Sequence, residues 1–337
     1  MSFAGLSEET QVERLAGLAR KALPAWGLEG AALAPVKYRE NAVFRVEAAD
    51  GRRFALRVHR PGYRSDAAIR SEVAWMRALA EAGVPTPAVL PTRDGDVVTR
   101  AEAPGVPESR QCDLVAWVEG EPMGSLEHGV ALGPEALRKG YRTVGAIAGR
   151  IHAHGATWTR PPGFERPTWD ADALVGERPV FGRFEDLEEI PDDVLRTLRA
   201  ARDRAHERLA ALPPPELLVH GDLIPDNLLA AGDRVRVIDF DDCGFGWPAF
   251  ELVTSLFPLL VSGGFEAGRE GWLEGYRAVR PLPDAALEAE PDLVMARALS
   301  YLGWPAGRPE IATQRRLVPF LAGRLAELAD AYLRDAR

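Results

Sequence analysis

Two short apolar runs, each delivering carboxylates to a turn, constrain this 337-residue chain more than any other feature. The first is Leu217-Leu218-Val219-His220-Gly221-Asp222-Leu223-Ile224-Pro225-Asp226-Asn227, and the second is Val237-Ile238-Asp239-Phe240-Asp241-Asp242. Each opens with β-prone residues and ends in polar ones, so each spells a short buried strand running into a loop. A carboxylate projecting from such a turn, as Asp222 does after His-Gly, can accept the proton of a hydroxyl within hydrogen-bond reach. Asn227, across the same loop, offers a neutral oxygen. Asp239, on a strand read here as the neighbour of the first, offers a charged one. One or two hard oxygen ligands, completed by phosphates, are what Mg²⁺ prefers.

A lone His-Gly-Asp is equally well a capped turn, and three nearby aspartates a solvated loop. The two runs together point instead to phosphoryl transfer from ATP to an alcohol, with Asp222 as base and Asn227, Asp239 and Asp241 on the metal. Asp241, like Asp242, could instead serve a second metal, the substrate or the next element's cap. His220 fits a role in orienting the loop rather than in moving protons.

Such chemistry also needs a cation for the α- and β-phosphates. Val43-Phe44-Arg45-Val46-Glu47 and Arg53-Phe54-Ala55-Leu56-Arg57-Val58 flank Asp50-Gly51, a strong hairpin signal. Arg57 ends the second strand. Glu72 falls on the apolar stripe of a helix over 65–82, where an unpaired carboxylate would be costly, so an Arg57–Glu72 ion pair is expected. Tyr38-Arg39-Glu40-Asn41-Ala42 then forms the turn over the phosphates, with Asn41 in it, and Trp117, Val118 and Glu119 present backbone to the base of the nucleotide. His152 and His154, closing an amphipathic helix, read as packing and helix-terminus partners. Trp247, Tyr301 and Trp304 are placed near an acceptor only by position.

The order of elements is helix, hairpin, helix and two strands up to a Gly/Pro break near residue 120. An amphipathic helix over 134–155 follows, then an irregular aromatic stretch over 156–190, a helix over 191–211, the two motif runs, and three helices. This is an α+β chain with a nucleotide-binding lobe over 1–120 and a catalytic and substrate-binding lobe over 121–337. Leu252 to Val261 is apolar, yet far short of the roughly 20 residues that span a bilayer, and reads as a core helix. Lys plus Arg number 41 against 50 Asp plus Glu, a net charge of −9, which argues against nucleic acid or anionic membrane as partners. Cys112 and Cys243 show no metal-ligand spacing, and Ser7-Glu8-Glu9-Thr10 lacks the pattern of a signal peptide, so a cytoplasmic protein is expected.

The motifs resemble those of the phosphotransferase enzyme family of aminoglycoside, choline and type II homoserine kinases. The resemblance rests on Glu40-Asn41-Ala42-Val43-Phe44-Arg45-Val46, Leu56-Arg57-Val58-His59-Arg60-Pro61, the Glu72 helix, Trp117-Val118-Glu119-Gly120 and the two acidic runs. It implies a two-lobed protein-kinase-like fold, with a small sheet-rich first lobe and a larger helical second one. It also implies ATP and Mg as cofactors, Asp222 as catalytic base, Asn227 and Asp239 as Mg²⁺ ligands, and Arg57 with Glu72 in place of the usual lysine pair. Arginine is a planar fork where lysine is a point charge, so phosphate geometry at this position departs from that of protein kinases. The Asp-Phe-Asp-Asp spelling is similar to that of homoserine-kinase-like enzymes and of a bacterial stress-response Ser/Thr kinase. The expected acceptor is a small hydroxyl compound, an amine-bearing one suiting an acidic protein. A protein Ser/Thr acceptor and a non-catalytic pseudokinase are the alternatives. A haloacid-dehalogenase-type hydrolase shares the spelling Val237 to Asp241, but would need a doubly wound α/β domain after it.

Overall fold

The computed structural model describes residues 3–39, 41–125, 130, 132–232, 234–308 and 315–335. Glu40, in the turn expected over the phosphates, lies outside them. In chain order the elements are α1 (Glu8–Ala22), β1 (Ala32–Tyr38), β2 (Ala42–Glu47), β3 (Arg53–Val58), α2 (Asp66–Glu81), β4 (Thr99–Ala101), β5 (Arg110–Ala116), β6 (Glu121–Pro122) and α3 (Pro134–Thr157). Then come α4 (Ala171–Val175), α5 (Asp192–Ala210), β7 (Leu217–Val219), β8 (Leu228–Ala231), β9 (Arg234–Val237), β10 (Gly244–Gly246), α6 (Pro248–Ser262), α7 (Phe265–Arg277), α8 (Glu290–Gly303) and α9 (Val318–Arg334). They form two compact units that are not continuous in sequence. The first holds Met1–Glu121 with Thr159–Arg166 and Leu229–Asp241; the second holds Pro122–Trp158, Pro167–Leu228 and Asp242–Arg337.

The first unit is built on an antiparallel sheet of order β1-β2-β3-β5-β4. The β2–β3 hairpin pairs Ala42 with Val58 and Glu47 with Arg53, turning at Asp50-Gly51, where Gly51 has φ 81°. Phe44, Val46, Leu56 and Leu114 bury one side of the sheet against Leu15 and Leu18 of α1. Helix α2 starts where the Ser65 hydroxyl accepts from the Ala68 amide at 3.0 Å, and it buries Ile69, Glu72, Val73, Met76 and Leu79. The second acidic run belongs to this unit as far as Asp241: Val237 donates its amide to the Pro85 carbonyl at 3.1 Å, and Phe240 meets the Trp75 ring edge-on at 6.1 Å.

The second unit is mainly helical. Its central contact, α3 on α7, is made by glycines: a Cβ at Gly145 would stand 1.9 Å from the Trp272 carbonyl oxygen, and one at Gly275 1.9 Å from that of Arg142. Helix backbones can approach this closely only where side chains are missing. Four described helices follow Phe245 rather than three; α6 runs through Pro258 to Ser262 and ends at Gly263 and Gly264, both at φ 88°. No doubly wound sheet follows the acidic run among the described residues. No described helix is long and apolar enough to cross a membrane.

One strand pairing differs from the sequence expectation. The second run is not the neighbour of the first: β9 follows β8 through a turn at Gly232 (φ 61°), while β7 pairs antiparallel with β10, Val219 opposite Gly244. A left-handed glycine between two short strands closes a local hairpin, and that pairing takes precedence over a distant one.

Candidate active site

In the first unit, β3 and β5 set Arg57 directly opposite Asp113. The guanidinium donates Nε to Asp113 Oδ1 at 2.8 Å, Nη2 to Asp113 Oδ2, and Nη1 to Glu72 Oε1 at 2.7 Å. His59 Nε2 stands 3.2 Å from Asp113 Oδ2. Burial disfavours the charge on Arg57, yet the two carboxylates beside it hold its pKa well above the usual arginine value. Burial likewise disfavours the Asp113 carboxylate, but Arg57 and His59 bring its pKa down well below the usual range. The expected Arg57–Glu72 pair is therefore present as a triad whose third member, Asp113, sequence reasoning missed. A lone Asp in the apolar strand Cys112-Asp113-Leu114-Val115 was the available signal, since buried carboxylates are found paired.

The same unit fixes the loop after β9. Arg166, fully buried, donates Nη1 to the Ala68 carbonyl at 3.0 Å and Nη2 to the carbonyl of Asp241, with its Nη1 3.8 Å from Glu72 Oε2. Arg64 Nε reaches the Asp241 carbonyl at 3.2 Å, and Asn41 Nδ2 reaches Asp241 Oδ2 at 3.3 Å. Asn41 also accepts the Arg60 amide on Oδ1 at 3.2 Å, so it braces the acidic loop and the segment that follows β3. Asp239 is the one non-glycine among the described residues with positive φ, at 64°. Such a conformation costs about 1 kcal/mol or more and is kept where a side chain must be aimed. The Trp117 amide donates to the Arg53 carbonyl at 3.0 Å, and the Glu119 carboxylate pairs with Arg53 at 2.5 Å; Val118, half-buried, lies between them.

In the second unit, β7 ends at His220-Gly221-Asp222. Gly221 has φ 81°, and a Cβ there would lie 2.4 Å from the Asp242 carbonyl oxygen, which also accepts the Trp169 indole N–H at 2.8 Å. Only glycine fits. The turn is held from below by Glu251, in the first turn of α6, whose Oε2 accepts the His220 amide at 2.5 Å and the Gly221 amide at 3.4 Å. Burial opposes ionisation of Glu251, but the His152 and His220 groups around it bring its pKa down. His152 lies 3.5 Å from the same oxygen and 2.9 Å from the Tyr276 hydroxyl, so it is a packed core histidine. His220 Nδ1 accepts the Asp222 amide at 3.3 Å, the loop-orienting contact expected of it.

The carboxylate of Asp222 is gripped on both oxygens. Asn227 Nδ2 donates to Oδ2 and to the Asp222 carbonyl, each at 2.9 Å, which leaves the Asn227 carbonyl oxygen turned away from Asp222. Arg297 Nη2 donates to Oδ1 at 2.7 Å. Arg297 and Glu251 were both missed by sequence reasoning; each is a charge inside an apolar stretch of its helix, and that was the signal. Among the described residues no three His, Cys, Asp or Glu side chains converge as a metal cage. A Mg²⁺ bound by one amide oxygen, one carboxylate and phosphates does not require one.

A profile of the phosphotransferase enzyme family matches residues 35–288. A homoserine kinase of Azorhizobium caulinodans is 27% identical over 234 residues, which are 68% of this chain and 66% of that kinase. The solved structure of a microcompartment-associated aminopropanol kinase is 30% identical, with a TM-score of 0.83 over 95% of this chain and 98% of that one. An amicoumacin kinase solved with AMP-PNP, Ca²⁺ and Ami shares the fold at 19% identity, with a TM-score of 0.69 over 96% of this chain and 94% of that one. The two acidic runs lie inside the matched residues, and the helices that follow the second are those of a kinase rather than of a hydrolase. This chain therefore belongs to the phosphotransferase enzyme family, has its protein-kinase-like α+β fold, and is a kinase that acts on an alcohol.

Proposed function

We propose that the chain moves the γ-phosphoryl group of ATP to the hydroxyl of a small, amine-bearing acceptor, in a Mg²⁺-dependent reaction with Asp222 as catalytic base. The observation that carries this reading is the Asp222 carboxylate, fixed by Asn227 on one oxygen and Arg297 on the other, at the end of a strand whose turn admits only glycine. A carboxylate so fixed can meet an acceptor hydroxyl without first reorganising. The acceptor oxygen forms a bond to the γ-phosphorus while the bond to the β,γ-bridging oxygen breaks; ADP leaves with that electron pair, and the hydroxyl proton passes to Asp222.

Asn227 and Asp239, with Asp241, are the residues that would hold Mg²⁺, and their oxygen donors suit it. The ion supplies neutralisation of phosphate charge. Asp241 already accepts from Asn41, so its part is the more indirect one, keeping the loop that carries Asp239 in place. Arg57 keeps a proton-bearing nitrogen edge beyond its three carboxylate bonds, enough for one phosphate oxygen, while Trp117, Val118 and Glu119 contribute backbone to the nucleotide base. The 30% identical aminopropanol kinase favours an amino alcohol as acceptor over a protein side chain.

The test is acceptor-stimulated ADP release, screened over amino alcohols, amino sugars, hydroxy amino acids and a generic protein substrate. An amino alcohol or hydroxy amino acid should stimulate release with saturation. Stimulation by the protein substrate alone would replace this reading with a Ser/Thr kinase, and binding of Mg·ATP with no turnover on any acceptor would replace it with a pseudokinase.

A further inference from the structure

Arg297 sits in the apolar stretch Leu293 to Leu299 of α8 and is 4% exposed. A buried guanidinium is expensive unless its charge and donors are met. Here Nη2 serves both Asp222 Oδ1 at 2.7 Å and the Tyr301 hydroxyl at 3.2 Å. Its Cζ lies 4.7 Å from the centre of the Tyr301 ring and 5.7 Å from that of Phe181, so aromatic faces fix the plane of the fork. Those walls are themselves fixed: Tyr301 stacks on Phe257 at 4.7 Å, and Phe181 stacks on the fully buried Trp169 at 5.3 Å. Despite burial, Asp222 and Tyr301 keep the Arg297 pKa above the usual arginine value.

A structural ion pair would not need this arrangement. Asp222 is half-buried, at 23% side-chain exposure, and could be solvated alone; the buried partner is the arginine, whose Nη2 is divided between that carboxylate and Tyr301 while its Nε has no hydrogen-bond partner. We infer that Arg297 is a positioning residue for phosphoryl transfer: resting on the reading of Asp222 as base, it locks that carboxylate in one rotamer and offsets its charge, with Tyr301 and Phe181 holding the guanidinium in register. Asn227 and Arg297 then hold the base by one oxygen each.

The test is steady-state kinetics of wild type, Arg297→Ala, Arg297→Lys, Asp222→Asn and the double variant Asp222→Asn/Arg297→Ala. Arg297→Ala should lower kcat about 10²-fold, the scale of a misplaced catalytic group, with the KM for Mg·ATP unchanged. Arg297→Lys should restore part of the loss, and millimolar guanidinium, but not urea, should restore part of it in Arg297→Ala. In the Asp222→Asn background the second substitution should cost nothing further, since both act through one carboxylate. Full kcat in Arg297→Ala, or additive losses in the double variant, would overturn the inference. If Arg297→Ala does not fold, Arg297→Lys with wild-type kcat would do the same. Wild-type turnover in Asp222→Asn would instead remove the base itself, whatever Arg297 does.

Discussion

At the scale of single residues, the molecule spends buried charge where it needs fixed geometry. Asp222→Asn keeps the shape of the turn and removes the carboxylate proposed as base, so kcat should fall by roughly 10²–10⁴ while Mg·ATP affinity is retained, as read by single-turnover kinetics and equilibrium binding. Unfolding of this variant in a thermal melt would instead mark Asp222 as structural. Asp113 is fully buried against Arg57, and removing one partner of such a pair leaves the other uncompensated; Asp113→Asn should cost about 3 kcal/mol in denaturant unfolding. The pH dependence has a definite sign. Because the folded-state pKa of Asp113 is depressed, its contribution is complete above the unfolded carboxylate pKa, 3.8 for the free group, and is lost as pH falls towards the lower folded value. The gap between wild type and Asp113→Asn should thus stay constant from neutrality to about pH 5 and close only in stronger acid. A gap that closes above that range would contradict the buried pair.

At the scale of elements, the α3–α7 contact depends on missing side chains. Gly275→Ala would drive a methyl group into the Arg142 carbonyl and force two long helices apart, so a loss of about 1–3 kcal/mol is expected, visible as a lower denaturation midpoint with an unchanged slope. Gly17, with no atom near its absent Cβ, is the control: Gly17→Ala should stabilise α1 slightly. What was legible in the sequence follows the same division. The β2–β3 hairpin, α2 and its buried Glu72, α3 and α5 were readable because periodicity and caps are local. The β7–β10 pairing was not, since it depends on which of two short strands meets a third. The triad at Arg57 and the grip on Asp222 were only half readable: one partner announces itself by motif, whereas Asp113, Arg166, Glu251 and Arg297 are distant in sequence and declare themselves only as charges in apolar surroundings.

At the scale of the whole molecule, the candidate site residues are divided: Asp222 and Asn227 belong to one compact unit, Arg57 and Asp239 to the other. Ligand that binds only the folded state adds stability by mass action, so Mg·ATP at about 100 times its Kd should contribute about 2.7 kcal/mol to unfolding. Asp239→Asn, which tolerates the left-handed backbone but lacks the charge, should lose most of that shift in a thermal melt. An undiminished shift would take Asp239 off the metal. The strained backbone at this position carries one more consequence, for heredity rather than chemistry. Glycine there would relax the chain by about 1 kcal/mol, so with Asp239 in the proposed role, selection for heat resistance alone would drift towards a sturdier protein that has forgotten its trade.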